Sequence, residues 1–209
     1  MHDHHHPTPQ GGREEMKMYS KVFGIYIFII AIDVIGGRIL TNSTALVAEA
    51  GHVAIDSVSA IVSIISAYLV TIGHNEKRTR RIGFLLNMGM LWSVAMLIGY
   101  EAIERFEHPQ AFSGWVVIIA ATISLCGSLV AHRVLDNDSH EERTETHEAQ
   151  HLHVWADIVQ SAGVILAGLI MIVTGSSIVD PIMSALIALW MASQTILLIV
   201  RRTMPQHQH

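Results

Sequence analysis

Charge is scarce in this chain. Only 15% of its 209 residues are Asp, Glu, Lys or Arg, while 51% are hydrophobic; a soluble domain carries roughly 25% charged residues. Mean hydropathy is +0.42. The shortage argues against an ordinary water-facing surface and fits a chain whose exterior mostly meets lipid. Cysteine is scarcer still. Cys126 stands alone, so no disulfide can close within the chain, and thiolate sites for soft metals such as Cu(I) are disfavoured. Positive charge is not in excess either. The formal net charge is −5, which leaves no electrostatic footprint for nucleic acid. One catalytic signature is missing as well, Gly-x-Ser-x-Gly. Histidine, by contrast, is abundant, with 14 copies.

Hydropathy divides the chain into six apolar segments, near 21–41, 45–72, 82–105, 112–135, 148–174 and 179–200. Each reaches the roughly 20 residues that cross a hydrocarbon core of about 30 Å. Runs such as 116–121 and 163–173 are apolar nearly all round, unlike the striped helices of a soluble bundle. The first segment starts late, is long, and is followed by no small-residue cleavage site. It is expected to be a span and not a signal peptide. The expected fold is therefore all-α, a polytopic membrane protein of six transmembrane helices.

Basic residues set the orientation of such a protein. Arg13, Lys17 and Lys21 precede the first span. Lys77, Arg78, Arg80 and Arg81 lie between the second and third, Arg133 and Arg143 around the connection between the fourth and fifth, and Arg201 and Arg202 at the end. Those are eleven of the thirteen basic residues; Arg38 and Arg105 fall toward the other face. Both termini are thus expected in the cytoplasm. Residues 1–20 read as a His-rich cytoplasmic arm with His2, His4, His5 and His6. Residues 21–202 read as the six-helix domain, with a polar, His-containing cytoplasmic loop near 136–150 (DNDSHEERTETHEAQ). Residues 203–209 form a short tail with His207 and His209.

Ionisable side chains inside a span are costly, and each is a functional-site hypothesis. His52 and Asp56 lie four apart in the second span, and His153 and Asp157 four apart in the fifth. At that spacing both side chains share one helix face. Two such helices side by side offer two imidazole nitrogens and two carboxylates, a donor set suited to tetrahedral Zn²⁺. The two carboxylates also neutralise the 2+ charge, which matters where an uncompensated ion is expensive. Small residues surround both pairs (Ala48, Ala50, Gly51, Ala54 and Ser57; Ala156, Ser161, Ala162 and Gly163), as in closely packed membrane helices. Two pairs of identical spacing argue against simple helix–helix glue. Glu49 is either an additional ligand on the access path or an interfacial carboxylate. Asp33 either points into the same cavity or pairs with Arg38. Asn87 is expected to hydrogen-bond between helices, and His132 to be an interfacial residue and not a ligand.

These residues resemble the cation diffusion facilitators, the family that includes the eukaryotic zinc transporters. The second span, NSTALVAEAGHVAIDSVSAIVS, is similar to the family's Asn-Ser-x-Ala-Leu segment and first His-x-x-x-Asp pair. The third ends in Tyr-Glu-Ala-Ile-Glu-Arg-Phe (100–106), followed by Pro109, with Asn87 where the family often has Asn. The fifth, HLHVWADIVQSAGVILAGLI, is similar to the second His-x-x-x-Asp helix, and the sixth opens on Asp180-Pro181. The likeness runs from about residue 20 to residue 202. It implies a transport site at His52, Asp56, His153 and Asp157. It also implies export of zinc from the cytoplasm by proton antiport with alternating access, and a homodimer. Cd²⁺ and Co²⁺ suit the same donors. A bacterial cytoplasmic membrane is the expected location.

Three departures qualify the resemblance. Nine residues follow Val200, so no C-terminal ferredoxin-like domain is expected, and a dimer would rest on membrane contacts such as Ser184, Ala188 and Ala192 or residues of the third span. The connection between the second and third spans holds only His74. Glu49 stands where zinc-preferring members usually have Asp. Two readings of other classes remain beside transport: a membrane-embedded zinc metalloenzyme with Glu49 as base, and a haem-binding membrane protein with the two histidines as axial ligands. Four protein ligands would close a catalytic zinc site, and haem ligation has no use for an Asp one turn after each histidine.

Overall fold

The computed structural model describes residues 9–35, 44–108, 114–137, 144–176 and 178–203. Among them are six helices and no strand: α1 Pro9–Val34, α2 Thr44–Thr71, α3 Glu76–Glu107, α4 Gly114–Asn137, α5 Glu145–Thr174 and α6 Val179–Thr203. Five, α2 to α6, are long and apolar enough to cross a membrane. Helix α1 occupies the place expected for the first span, but its first turns carry Arg13, Glu14, Glu15, Lys17 and Lys21, and residues 36–43 lie outside the described residues. Large apolar side chains are exposed along every helix, among them Phe28, Ile65, Met96, Ile119, Val173 and Leu189. A water-soluble chain would gather such residues inside; here they form the outer coat.

Local chemistry explains the helix ends. The Asn75 side chain accepts from the Arg78 backbone N–H at 2.9 Å and caps α3. Thr144 does the same for His147 at the start of α5, with Glu145 and Glu148 in the first turn. A capping oxygen and early carboxylates satisfy and complement the exposed N–H groups there. Gly175 closes α5 in the left-handed region at φ 69°, its N–H bonded to the Met171 carbonyl, a conformation that favours glycine.

Parts of the two stretches expected as a polar arm and a polar loop are helical instead. Residues 9–20, expected within the arm, form the first turns of α1. Met18 and Tyr19 there are buried in one core with Ala60 and Ala67 of α2 and Ala131 and Leu135 of α4. Residues 145–150, expected in the loop, are helical and bury Thr146, His147, Ala149 and Gln150. In both cases buried side chains, not average polarity, decide where the helix starts. His2, His4, His5, His6, His140, His207 and His209 lie outside the described residues.

The helices form two groups. One core joins α1, α2, α4 and α5. A second joins Phe84, Met88, Leu91, Val94 and Ile98 of α3 to Ile187, Ala188 and Met191 of α6, with Ala149 and Ala156 of α5 alongside. The small-residue face of α6, expected to serve a dimer, is therefore used within the chain. Ser184 and Ala188 are buried, and Ala188 sits against Gly99 of α3. Gly163 of α5 lets α6 come close: a Cβ there would collide with the Ile187 side chain.

Paired charges mark the ends of the bundle. At one end Arg80 of α3 bridges Glu15 of α1 at 2.8 Å and Glu76 at 2.7 Å, and Arg202 of α6 grips Glu148 of α5. At the other, Arg105 of α3 joins Glu101 and Asp180, the latter at the start of α6, each at 3.1 Å. The two expected minority-face groups thus divide: Arg105 is paired, and Arg38 lies outside the described residues.

Candidate metal centre

Both His-x-x-x-Asp pairs point inward. His52 and Asp56 of α2 and His153 of α5 are buried, and Asp157 is partly so. His52, Asp56 and Asp157 line one small cavity with Tyr26 of α1, Ser124 and Ser128 of α4, and Gln160 and Ser161 of α5. Its volume is about 10 Å³, room for about one water-sized particle. His153 completes the set from the side, its Nδ1 standing 3.6 Å from the Asp56 carboxylate.

The orientation of the His153 ring is informative. Its Nε2 lies 2.8 Å from the backbone carbonyl of Asn87. A carbonyl only accepts, so Nε2 carries the proton and donates. In the neutral ring Nδ1 then presents a lone pair. That lone pair and an Asp56 oxygen face each other in a buried place, and neither atom has a hydrogen-bond partner. Two acceptors so placed repel unless a cation or proton lies between them. A histidine that donates its far nitrogen to a carbonyl while its near nitrogen faces the site is the arrangement that supports metal ligation. With Zn–N and Zn–O bonds of about 2.0–2.2 Å, neighbouring donors on a tetrahedral ion stand about 3.3–3.5 Å apart, close to the observed separation.

Sequence reasoning missed three groups that hold the others. Tyr26 is fully buried and donates its hydroxyl to Asp157 at 2.8 Å. Glu101 of α3 stands 3.4 Å from His52 Nε2. The Asn87 backbone oxygen orients His153. Glu101 had a detectable signal, a carboxylate near the end of an apolar run. Tyr26 had only its place in an apolar helix, and a backbone oxygen has no sequence signal at all. Asn87 itself behaves as expected: its side chain donates to Ser63 of α2 at 2.9 Å, and Ser63 lies 3.0 Å from Gln150 of α5. This buried polar chain ties α3, α2 and α5 together just beside the candidate centre. The side chains of Asp33 and Glu49 lie outside the described residues.

Among the described residues, no three of the four candidate donors bring ligand atoms within 4.8 Å of one another; the group that does so is His132, Asp136 and His151. His132, expected to be merely interfacial, is part of it.

A bundle of apolar helices coated by exposed apolar side chains is that of an integral membrane protein, and inward-facing imidazole–carboxylate pairs are a donor set suited to a divalent metal. Residues 20–202 match the family model described as the cation efflux transmembrane domain, and the chain belongs to that family, the cation diffusion facilitators. It is similar to the zinc transporter ZitB of Escherichia coli, 30% identical over 197 residues, covering 90% of this chain and 62% of that protein. It is similar to the metal cation efflux system protein CzcD of Cupriavidus metallidurans, 29% identical over 202 residues, covering 94% and 62%. It is also similar to the cadmium, cobalt and zinc/H(+)-K(+) antiporter of Bacillus velezensis, 31% identical over 196 residues, covering 90% and 60%. The chain spans 60–62% of the length of these curated relatives. All three carry the names of transporters or efflux proteins, not enzymes.

Proposed function

We propose that this chain is the membrane part of a divalent-metal exporter that carries Zn²⁺, with Cd²⁺ and Co²⁺ as further substrates, through His52, Asp56, His153 and Asp157. The observation that carries the reading is the buried Asp56 carboxylate facing the His153 Nδ1 lone pair at 3.6 Å, beside a cavity lined by His52 and Asp157. The relatives' names support the choice of metals. The basic residues gathered at one end support six spans with both termini cytoplasmic, in a bacterial cytoplasmic membrane. The whole protein acts as a homodimer through membrane contacts other than the face of α6 used against α3.

Transport follows from competition for the same atoms. Metal needs neutral imidazole and ionised carboxylate, so a proton on any donor opposes it. Imidazole titrates near physiological pH. Facing the more acidic outer side, the donors take protons and release metal; facing inward, they release protons and reload. The four donors belong to two helices and stand apart, so a tetrahedral ion draws α5 toward α2. Movement of helices against one another around a central site is the basis of alternating access.

The test is Zn²⁺ flux into proteoliposomes under an imposed pH gradient. Flux that depends on the gradient and is lost in Asp56→Ala and Asp157→Ala is expected. Flux and pH dependence intact in Asp157→Ala would overturn the four-donor site.

A further inference from the structure

A second cluster of the same residue types sits at the end of the bundle where α4 leaves and α5 begins. His132 and Asp136 of α4 are four apart, a third His-x-x-x-Asp pair in this chain. His132 Nε2 stands 3.3 Å from one Asp136 oxygen, and His151 Nε2 of α5 stands 3.2 Å from the other. The two imidazole rings lie 5.0 Å apart, edge to face. His147, one turn before His151, stacks on it at 6.2 Å. All three donor atoms lie within 4.8 Å of one another. The two nitrogen–oxygen separations, each to a different oxygen of Asp136, are close to the about 3.3–3.5 Å between neighbouring donors on a tetrahedral Zn²⁺. Two nitrogens, one carboxylate oxygen and no sulfur favour a borderline divalent ion such as Zn²⁺ or Co²⁺ over a soft one. Three protein donors leave a fourth position open for exchange.

The cluster is connected to the central cavity. On α4 the residues Ser124, Ser128, His132 and Asp136 recur every four positions and so form one polar ridge. Ser124 and Ser128 line the cavity with His52, Asp56 and Asp157; His132 and Asp136 are the next two turns. On α5, His151 and Asp157 are six residues apart, about 9 Å along the axis. The cluster is half-exposed, with side-chain exposures of 21%, 41% and 18% for His132, Asp136 and His151, whereas the central pairs are enclosed. We propose that His132, Asp136 and His151 form a second, water-accessible binding site for a Zn²⁺-class cation, which hands metal along the α4 ridge to the central donors. The hand-over rests on the reading of the central donors as a transport site; binding at the cluster does not.

The test uses the full chain in detergent and Co²⁺ as the probe. The Trp155 ring stands 5.2 Å from that of His132, so paramagnetic Co²⁺ at the cluster quenches Trp155 fluorescence. Saturable quenching is expected in the wild type and in the Asp56→Ala/Asp157→Ala variant, and its loss in Trp155→Phe. Asp136→Asn, a conservative change at a half-exposed position, is expected to shift the quenching midpoint at least tenfold, and His132→Gln to do the same. A midpoint within twofold of wild type in both variants overturns the site. In Zn²⁺ flux, Asp136→Asn is expected to raise the half-saturating concentration several-fold with maximal flux unchanged; an unchanged half-saturation overturns the hand-over. If instead Asp56→Ala and Asp157→Ala left flux intact, the central reading would fall, while Co²⁺ quenching would still decide the cluster on its own.

Discussion

The central donors and the cluster at the α4–α5 end are built from the same parts, imidazole and carboxylate four residues apart on a helix, yet they are held in opposite ways. At the centre the donors are buried and divided between α2 and α5. Three of the four are steadied from outside the pair: Asp157 by the Tyr26 hydroxyl, His153 by the Asn87 carbonyl, and His52 by Glu101. At the end, three donors from α4 and α5 have already converged on one another, half in water. Water pays little to solvate an exposed carboxylate, so its partners can gather around it freely. A buried carboxylate must be compensated by its neighbours, and the supporting groups do this until a cation arrives. The same motif is thus poised for capture at the surface and for exchange in the interior.

The comparison breaks most easily at the centre. Asp157→Ala removes a partly buried charged donor, a loss of up to about 3–5 kcal/mol in such settings, or roughly 10²–10⁴ in affinity. Zn²⁺ flux is expected to disappear, whereas Co²⁺ quenching of Trp155 at the end cluster persists. Loss of both signals would show that the two regions are one site. Tyr26→Phe is milder. It keeps the ring and removes only the donor to Asp157, and outer groups that orient metal ligands are worth about 10–100-fold. A rise of about tenfold in half-saturating Zn²⁺ is expected, and an unchanged value would mean that Asp157 needs no support.

Asn87→Ala separates packing from ligation. The side chain donates to Ser63, while His153 uses the backbone oxygen of the same residue. Leaving buried partners unsatisfied costs about 1–3 kcal/mol, so the melting temperature in detergent is expected to fall by several degrees. Half-saturating Zn²⁺ should stay near wild type. A large rise in it would mean that the Asn87 side chain itself shapes the centre. The smallest effect is expected from replacing His2, His4, His5, His6, His207 and His209. With an ordered cluster to load the centre, this should raise half-saturating Zn²⁺ only slightly at unchanged maximal flux. Complete loss of transport would shift the loading role from the cluster to the terminal histidines.

Most of the bundle was legible in advance because lipid imposes a simple rule on each segment separately. Helices α2 to α6 begin and end within a few residues of the expected spans, except that α3 and α5 reach further into the connections. The first turn of α5, and the turns of α1 before residue 21, have no local signal, because residues such as Thr146 and Tyr19 are buried through contacts with distant helices, which no local average records. The two central His-x-x-x-Asp pairs were equally visible, since both members share a helix face by spacing alone. His132 and Asp136 have the same spacing and were nevertheless passed over, because the position near a span end suggested an interfacial role.

What the amino-acid sequence determined by itself is therefore everything that depends on one helix at a time: an apolar segment long enough to cross a bilayer, its caps, and which residues fall one turn apart on one face. These follow from hydropathy and from the 3.6-residue period. Which faces meet was decided only by the tertiary structure. Tyr26 reaches Asp157 from 131 residues away, His153 finds a carbonyl on α3, His151 closes on the third pair from α5, and α6 spends its small residues on α3. Each of these contacts depends on how helix surfaces interlock across the whole bundle. A packing choice of that kind is a sum over many distant side chains, and no single stretch of sequence contains it.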